Sequence, residues 1–233
     1  MGGPACGAAP DLGRSLMPHP DPQHVEVARV ALSVAKRHGF ALGGGLALLL
    51  HGVVDRPTED VDAFTDRADG VAAATEAVET ALLEAGFQVS RVADDSELSA
   101  VIYGFDDHMT EWEIQRGNKV VRLSLSCQAR LHAPVVMDVG PVMDLADLLA
   151  WKVTALVGRA RERDYVDVAA VLDQYTPAQL LAMARRVDPG LEAEDVPVVG
   201  RRLDRMPDEA FVPYQLTRAD VVQLRQRFAT WPR

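Results

Sequence analysis

The stretch that decides the fold covers residues 41–66 and reads ALGGGLALLLHGVVDRPTEDVDAFTD. It places a glycine-rich turn, a short apolar helix and an acidic strand in that order along the chain. Asp60 and Asp62 are two residues apart within the strand, so their side chains point to the same face. Two neighbouring carboxylates repel each other unless a proton or a cation lies between them. Because oxygen ligands suit hard cations, the pair predicts a Mg²⁺ site, with Mn²⁺ as an alternative ion.

The glycine-rich turn, Gly43 to Gly45, leads into the short helix. A helix N-terminus carries unpaired backbone N–H groups and the positive end of the helix dipole, so it can bind phosphate. A tight turn between a strand and a helix also favours glycine, so the glycines alone do not distinguish a phosphate-binding turn from a structural one. Together with the two aspartates, the turn is typical of a site that holds a nucleoside triphosphate and its metal ion. An exposed acidic strand face is the alternative explanation for the aspartates.

Composition limits the classes of protein to which this chain can belong. The 233 residues are 48% hydrophobic and 25% charged, which is ordinary for a soluble globular protein. No apolar run is long enough to span a bilayer, and residues 1–22 lack the basic start and the apolar stretch of a secretory signal. Two cysteines, Cys6 and Cys127, make neither a disulfide framework nor a metal cluster. We therefore expect a cytoplasmic protein without a membrane partner.

The charge is strongly acidic and unevenly distributed. The formal net charge is −10, and the first 140 residues hold 11 basic and 20 acidic side chains. Proteins that bind nucleic acid mainly by neutralising phosphates are usually basic, so composition gives no support for tight nucleic-acid binding. A polyanionic substrate would have to be held by a local group of cations.

Hydrophobic periodicity predicts an α+β fold, in which a mixed β-sheet with flanking helices is followed by a helical C-terminal part. We expect a flexible tail over 1–21, an α/β domain over 22–140 and a helical domain over 141–233, with the active cleft between the last two. Residues 188–213 are expected to be less regular. The expected helices lie at 24–38, 46–51, 69–85, 144–158, 163–172, 177–186 and 217–229. The expected strands lie at 40–42, 60–64, 87–92, 98–103, 111–115, 119–126 and 135–139.

A lysine falls within the apolar stripe of the first C-terminal helix. Lys152 follows Leu149 by three residues and precedes Leu156 by four, so its side chain starts on the buried face. It could reach solvent along its apolar stem or point into a cleft toward an anion, and we favour the cleft. On the next helix Asp164 flanks the buried face and is the better functional candidate, whereas Asp167 lies farther round. Asp167 and the neighbouring arginines either form a solvated or helix-pairing set of charges or have a functional role.

From about Val25 to Leu172 the chain resembles the nucleotidyltransferase AbiEii/AbiGii toxin family, a branch of the DNA polymerase β-like nucleotidyltransferase superfamily. The matching segments are GGLALLLHG at 44–52, RPTEDVD at 56–62, GPVMDLADLLAWKVTALVGR at 140–159 and RDYVDV at 163–168. The resemblance implies a nucleotidyltransferase-like sheet and transfer of a nucleotide from a nucleoside triphosphate to an acceptor hydroxyl. The implied acceptors are the 3′ end of tRNA, another RNA or a protein, and the implied partner is a cognate antitoxin.

The resemblance also implies which residues bind the nucleotide. Gly44 and Gly45 take the role of the phosphate-binding turn. Thr58 is the polar residue just before the acidic pair, and Arg56 stands beside it, so both are candidate nucleotide-binding residues. Lys152 would contact a phosphate as a point charge. These five residues make up the expected nucleotide-binding set.

The catalytic roles implied by the resemblance fall on four residues. Asp60 and Asp62 would be the metal ligands, and the metal would bridge oxygen atoms of the triphosphate. Lys152 and Asp164 would form the distal motif, in which Asp164 orients either Lys152 or the acceptor. In such a site, catalysis comes mainly from positioning and electrostatics.

Two positions depart from the superfamily pattern. A third carboxylate generally faces the first pair from a later strand, but the corresponding run VVRLSLSC has Ser124 there. Either another acid such as Glu113 or Asp138 reaches the site, or a second metal is weakly held, or the protein binds nucleotide without efficient transfer. Leu46 follows Gly45, where the superfamily commonly has a serine or threonine. The alternative function is therefore a catalytically weak nucleotide-binding or regulatory module of the same fold.

Overall fold

The computed structural model describes residues 20–92 and 109–233. Within them, one mixed sheet contains the strands β1 (Ala41–Leu42), β2 (Asp60–Thr65), β3 (Gln88–Arg91), β4 (Met109–Arg116), β5 (Lys119–Cys127), β6 (Val135–Met137) and β7 (Gly140–Val142). Their order across the sheet is β3-β4-β5-β2-β1-β7-β6. Strand β2 runs parallel to β5 and β1 runs parallel to β7, whereas the other neighbouring strands are antiparallel.

The α-helices of the described residues are α1 (Pro22–Ala35), α2 (Gly44–Leu50), α3 (Gly70–Glu84), α4 (Leu145–Arg159), α5 (Glu162–Ala169), α6 (Pro177–Val187), α7 (Val196–Arg205) and α8 (Arg218–Arg227). Short 3₁₀ helices occur at Lys36–His38, Asp208–Tyr214 and Phe228–Thr230. Gly39 ends the first helical segment in a left-handed conformation with φ of 81°, which glycine adopts without a steric penalty. No described helix is long and apolar enough to cross a membrane.

The two faces of the sheet differ because buried residues alternate with more exposed ones along β2 and along the middle of β5. In β2, Val61 and Ala63 are buried and the residues between them are half-buried. Helices α1 and α3 contact each other and cover the apolar face, where their small and branched residues pack on the strands. The polar residues of β2 therefore point to the opposite face, which the alternation of side chains along a strand requires.

The C-terminal helices are fastened to one another around α4 and α5. Helix α4 packs against α5 and α6 and also contacts α2, so it lies beside the polar face of the sheet. Tyr165 donates a hydrogen bond to the carbonyl oxygen of Val199 at 2.9 Å, and the Trp231 indole donates one to that of Val196 at 3.1 Å. Burial raises the pKa of Tyr165 to about 12, so its hydroxyl keeps the proton that it donates.

The fold class expected from the sequence is confirmed, and the differences are local. The strand expected at 135–139 is two short antiparallel strands, β6 and β7. The stretch 188–213 contains α7, because Val196, Val199 and Leu203 recur at helical spacing and are buried. The strand expected at 98–103 and residues 1–19 of the expected tail lie outside the described residues, whereas Asp21 caps α1.

Candidate active site

A cleft of about 660 Å³ lies between the polar face of the sheet and α4. Seven of the eight candidate residues line it, namely Gly44, Gly45, Arg56, Thr58, Asp60, Asp62 and Lys152. The eighth, Asp164, is fully buried and does not line the cleft. The structure therefore brings together residues from α2, from β2 with the loop before it, and from α4.

Asp60 and Asp62 both face this cleft from β2. The Asp62 Oδ1 atom accepts a hydrogen bond from the Ser124 hydroxyl at 2.9 Å. The Asp60 Oδ2 atom accepts one from Arg163 Nη1 at 3.0 Å. Each carboxylate is thus held through one oxygen atom, and the pair converges on one pocket as the spacing of the two residues predicts.

The glycine turn is packed directly against the second aspartate. Gly44 has φ of +63°, and a Cβ atom added there would lie 1.9 Å from Asp62 Oδ2. The Gly43 N–H also donates to the Asp62 carbonyl oxygen at 2.7 Å. At Gly45 an added Cβ atom would come within 3.0 Å of both Arg56 and Thr58. Glycine is therefore required where the turn meets the acidic strand, for reasons of conformation and of space.

The acidic pair fits a hard divalent cation. Among the described residues, no donor contacts Asp60 Oδ1 or Asp62 Oδ2, so each carboxylate keeps one oxygen atom for a ligand. No cluster of three His, Cys, Asp or Glu side chains suited to a metal occurs in 20–92 or 109–233. The protein would thus supply two carboxylates, which is the usual protein share for Mg²⁺ when substrate phosphates and water complete its coordination.

Lys152 points into the cleft and is held there by a buried aspartate. Its Nζ atom lies 2.8 Å from Asp167 Oδ2. Arg56 binds the same carboxylate through Nε at 2.6 Å and Nη2 at 2.8 Å. Burial alone would raise the pKa of Asp167, but Lys152 and Arg56 hold it below its usual value. The group is therefore fully ionised, with two cations around one anion.

Asp164 is expected to orient either Lys152 or the acceptor, and the structure contradicts the first role, because Lys152 contacts Asp167 instead. Asp164 instead accepts two hydrogen bonds of 3.0 Å from Arg159 and one of 3.1 Å from the Arg161 N–H, so it caps α5. Its hydrogen bond raises the pKa of the Arg159 guanidinium. Both aspartates are buried because α5 is packed by α4 on one side and by α8 and a 3₁₀ helix on the other.

Arg56 connects two parts of the cleft wall, a structural role that the sequence did not predict. It is only 5% exposed, and its Nη1 atom donates to the Pro57 carbonyl oxygen at 2.8 Å. Burial alone would lower the pKa of Arg56, but Asp167 raises it. All three guanidinium nitrogen atoms are bound to protein groups, so the main contact of Arg56 fastens the loop before β2 to α5.

Neither acid proposed from the sequence as the third carboxylate lines the cleft. Glu113 and Asp138 are both exposed and lie outside its wall. Glu111 does line it, because β4 places this residue directly opposite Ser124, which is itself directly beside Asp62. The register aligns Glu111 with Asp62 through Ser124 and Glu113 with Asp60 through Arg122, but only Glu111 lines the cleft, which the alternation of β4 could not indicate.

The charge of the cleft is opposite to that of the chain. Its acidic lining residues are Glu59, Asp60, Asp62 and Glu111. Its basic lining residues are Arg56, Arg122, Lys152, Arg159, Arg161 and Arg163. A protein with a net charge of −10 thus concentrates cations around its acidic pair. This is the local group of cations that a polyanionic substrate needs.

A site with these groups suits the transfer of a nucleotide from its triphosphate, and together with the fold it defines a nucleotidyltransferase. More narrowly, residues 28–228 match the model of the nucleotidyl transferase AbiEii toxin family, a type IV toxin–antitoxin system, and the chain belongs to this family. The match confirms the resemblance found in the sequence. Membership implies a nucleoside triphosphate substrate and a cognate antitoxin.

Solved structures share the fold at low sequence identity. MenT4, a nucleotidyltransferase toxin from Mycobacterium tuberculosis H37Rv, is 16% identical with a TM-score of 0.55, covering 89% of this chain and 82% of its own. JHP933 from Helicobacter pylori is 13% identical with a TM-score of 0.53, covering 90% and 91%. No curated protein matches the chain. At these identities the likeness shows the fold alone.

Proposed function

We propose that this protein moves a nucleoside monophosphate from a nucleoside triphosphate to an acceptor hydroxyl in a Mg²⁺-dependent reaction, as the toxin of a toxin–antitoxin pair. The observation that carries the proposal is the contact of Asp62 with the glycine turn. It puts the free Oδ2 atom of Asp62 beside the backbone of Gly44, in a cleft that is also lined by Asp60 and by six cationic side chains. Metal and triphosphate would thus share one small space.

The cations of the cleft would hold the triphosphate. Lys152 is fixed by Asp167 and Arg159 is fixed by Asp164, so both charges are in place before the substrate arrives. Such preorganised charges stabilise the pyrophosphate leaving group without a cost of reorganisation. A divalent ion on Asp60 and Asp62 would add charge stabilisation and orient the phosphates for in-line attack.

Glu111 is the group that we assign to the acceptor. It lines the cleft from β4, where it lies directly opposite Ser124, and it forms no ion pair with a cation of α4 or α5 in the described residues. It would accept the proton of the acceptor hydroxyl as that oxygen bonds to the α-phosphorus and the bond to pyrophosphate breaks. We propose an RNA hydroxyl, such as a tRNA 3′ end, as the acceptor. The exposed Arg122 and Arg161 at the cleft support this choice because they can contact a phosphate backbone.

Transfer can be tested with labelled nucleoside triphosphates, Mg²⁺ and total RNA. The wild type should label RNA, and Asp62→Ala should lower labelling more than about 100-fold, because even an outer partner of a metal ligand contributes about 10- to 100-fold. Equal labelling by both proteins would remove Asp62 from the mechanism. Label in the protein fraction would make a protein the acceptor, and nucleotide binding without labelling would favour the regulatory module.

A further inference from the structure

The acidic pair already has a cationic partner within the chain. Arg163, near the start of α5, lies with its Nη1 atom 3.0 Å from Asp60 Oδ2, and both side chains are about 30% exposed. Its Nε atom is buried and has no hydrogen-bond partner among the described residues. The guanidinium is therefore held mainly by its hydrogen bond to Asp60, a candidate metal ligand. If Arg163 moves away from Asp60, few other hydrogen bonds are lost.

The other firmly held cations of the cleft differ in this respect. Lys152 and Arg56 are bound to Asp167, and Arg159 is bound to Asp164. Both of those aspartates are fully buried and remain available to their partners when a ligand fills the cleft. Arg163 alone among these four cations shares its partner with the proposed metal.

A guanidinium and a divalent cation compete for Asp60. Arg163 occupies Oδ2, so a metal on the free Oδ1 atom would share the charge of the same carboxylate with the guanidinium, and their like charges would repel at short distance. Arg163 therefore offsets the repulsion between Asp60 and Asp62 and opposes the binding of a metal alone. A triphosphate changes this balance, because its oxygen atoms offer the guanidinium another strong partner within the same cleft.

We infer that Arg163 is an exchangeable counter-ion of Asp60, which moves to a phosphate of the substrate when metal and nucleotide enter together. Metal and nucleotide then bind with positive cooperativity, and the site disfavours a metal without its nucleotide. This inference rests on the proposed function, since it requires a metal at the acidic pair. It adds to that function a cooperativity between metal and nucleotide.

The test measures Mn²⁺ binding to the full chain by electron paramagnetic resonance of the free ion, with and without a nonhydrolysable nucleoside triphosphate. In the wild type, nucleotide should tighten Mn²⁺ binding. In Arg163→Gln, the dissociation constant for Mn²⁺ alone should fall roughly two- to fivefold, the range expected for loss of a partly exposed ion pair. The tightening by nucleotide should shrink by a similar factor.

Arg161→Gln is the matched control, because it removes the same charge from the same side of the cleft and Arg161 makes no ion pair with Asp60 in the described chain. It should change Mn²⁺ affinity less than about twofold, as expected for an exposed charge at some distance. Arg163→Met keeps an unbranched side chain and repeats the test should the glutamine variant unfold.

Three outcomes overturn the inference. If Arg163→Gln binds Mn²⁺ alone as the wild type does, Arg163 does not compete with the metal. If Arg161→Gln tightens Mn²⁺ binding equally, the effect is one of general charge. If the wild type binds no Mn²⁺ even with nucleotide present, the proposed metal centre is wrong, and the inference is wrong with it. In the first two outcomes the metal still binds, so only the inference about Arg163 is wrong.

Discussion

At the scale of single residues, Ser124 and Gly44 set the position of Asp62. The Ser124 hydroxyl holds one oxygen atom of Asp62 at 2.9 Å, and the missing side chain of Gly44 leaves room for the other. The sequence predicts the convergence of the two aspartates, because side chains two apart on a strand share a face. It could not identify Glu111 as the nearby acid, because a shift of two residues in strand register would have exchanged it with Glu113.

Glu111→Gln should slow nucleotide transfer by about 100-fold or more, the usual contribution of a positioned general base. The affinity for nucleotide should change little, because Lys152 and Arg159 are held by Asp167 and Asp164 and not by Glu111. Single-turnover transfer rates and nucleotide dissociation constants measure the two effects separately. Glu113→Gln is the control on the same strand face, and it should stay within about twofold because an exposed side chain contributes little. Equal loss in both variants would contradict the assignment.

At the scale of elements, α5 joins the two halves of the cleft. Asp167 reaches Arg56, which lies 111 residues earlier in the chain, and Lys152 on α4. A helical wheel assumes one buried face, so it favoured Asp164 and grouped Asp167 with charges that could be solvated. Both are buried because α5 packs against α4 and also against α8 and a 3₁₀ helix. The eight residues of α5 do not by themselves encode these contacts.

Asp167→Asn should lower the free energy of unfolding at pH 7 by about 3–5 kcal/mol, because it leaves two largely buried cations without their anion. The pKa of Asp167 is lowered from 3.8 in the folded protein, so its stabilisation is complete above that value. It is lost as the pH falls through the lowered pKa. The difference between wild type and variant should therefore narrow below about pH 4.

Urea denaturation of the two proteins at pH 7 and at successively lower pH measures this difference. Asp173→Asn serves as the control, because Asp173 pairs with Arg227 at the surface and is 63% exposed. It should cost less than about 1 kcal/mol at any pH. A difference for Asp167→Asn that does not depend on pH would show that its charge is not what stabilises the fold.

At the scale of the whole molecule, an acidic protein contains a cationic cleft. The arginines and the lysine of this cleft come from β5, α4, α5 and the loop before β2, so their convergence depends on long-range packing. Composition predicted that any polyanion must be held by a local group of cations, but it could not say where in the fold such a group would lie. The fold class and the acidic pair were predictable because they follow from short periodic patterns, whereas the cationic wall was not.

The proposed reaction requires that Asp60 and Asp62 share one metal beside the glycine turn. A crystal structure with Mn²⁺ and a nonhydrolysable nucleoside triphosphate, analysed by anomalous scattering, measures this directly. We predict a Mn²⁺ peak about 2.2 Å from a carboxylate oxygen atom of each aspartate, a typical distance for a hard cation. The triphosphate should lie against Gly44 and Gly45. A Mn²⁺ peak away from both aspartates, with the triphosphate bound outside the cleft, would contradict the account.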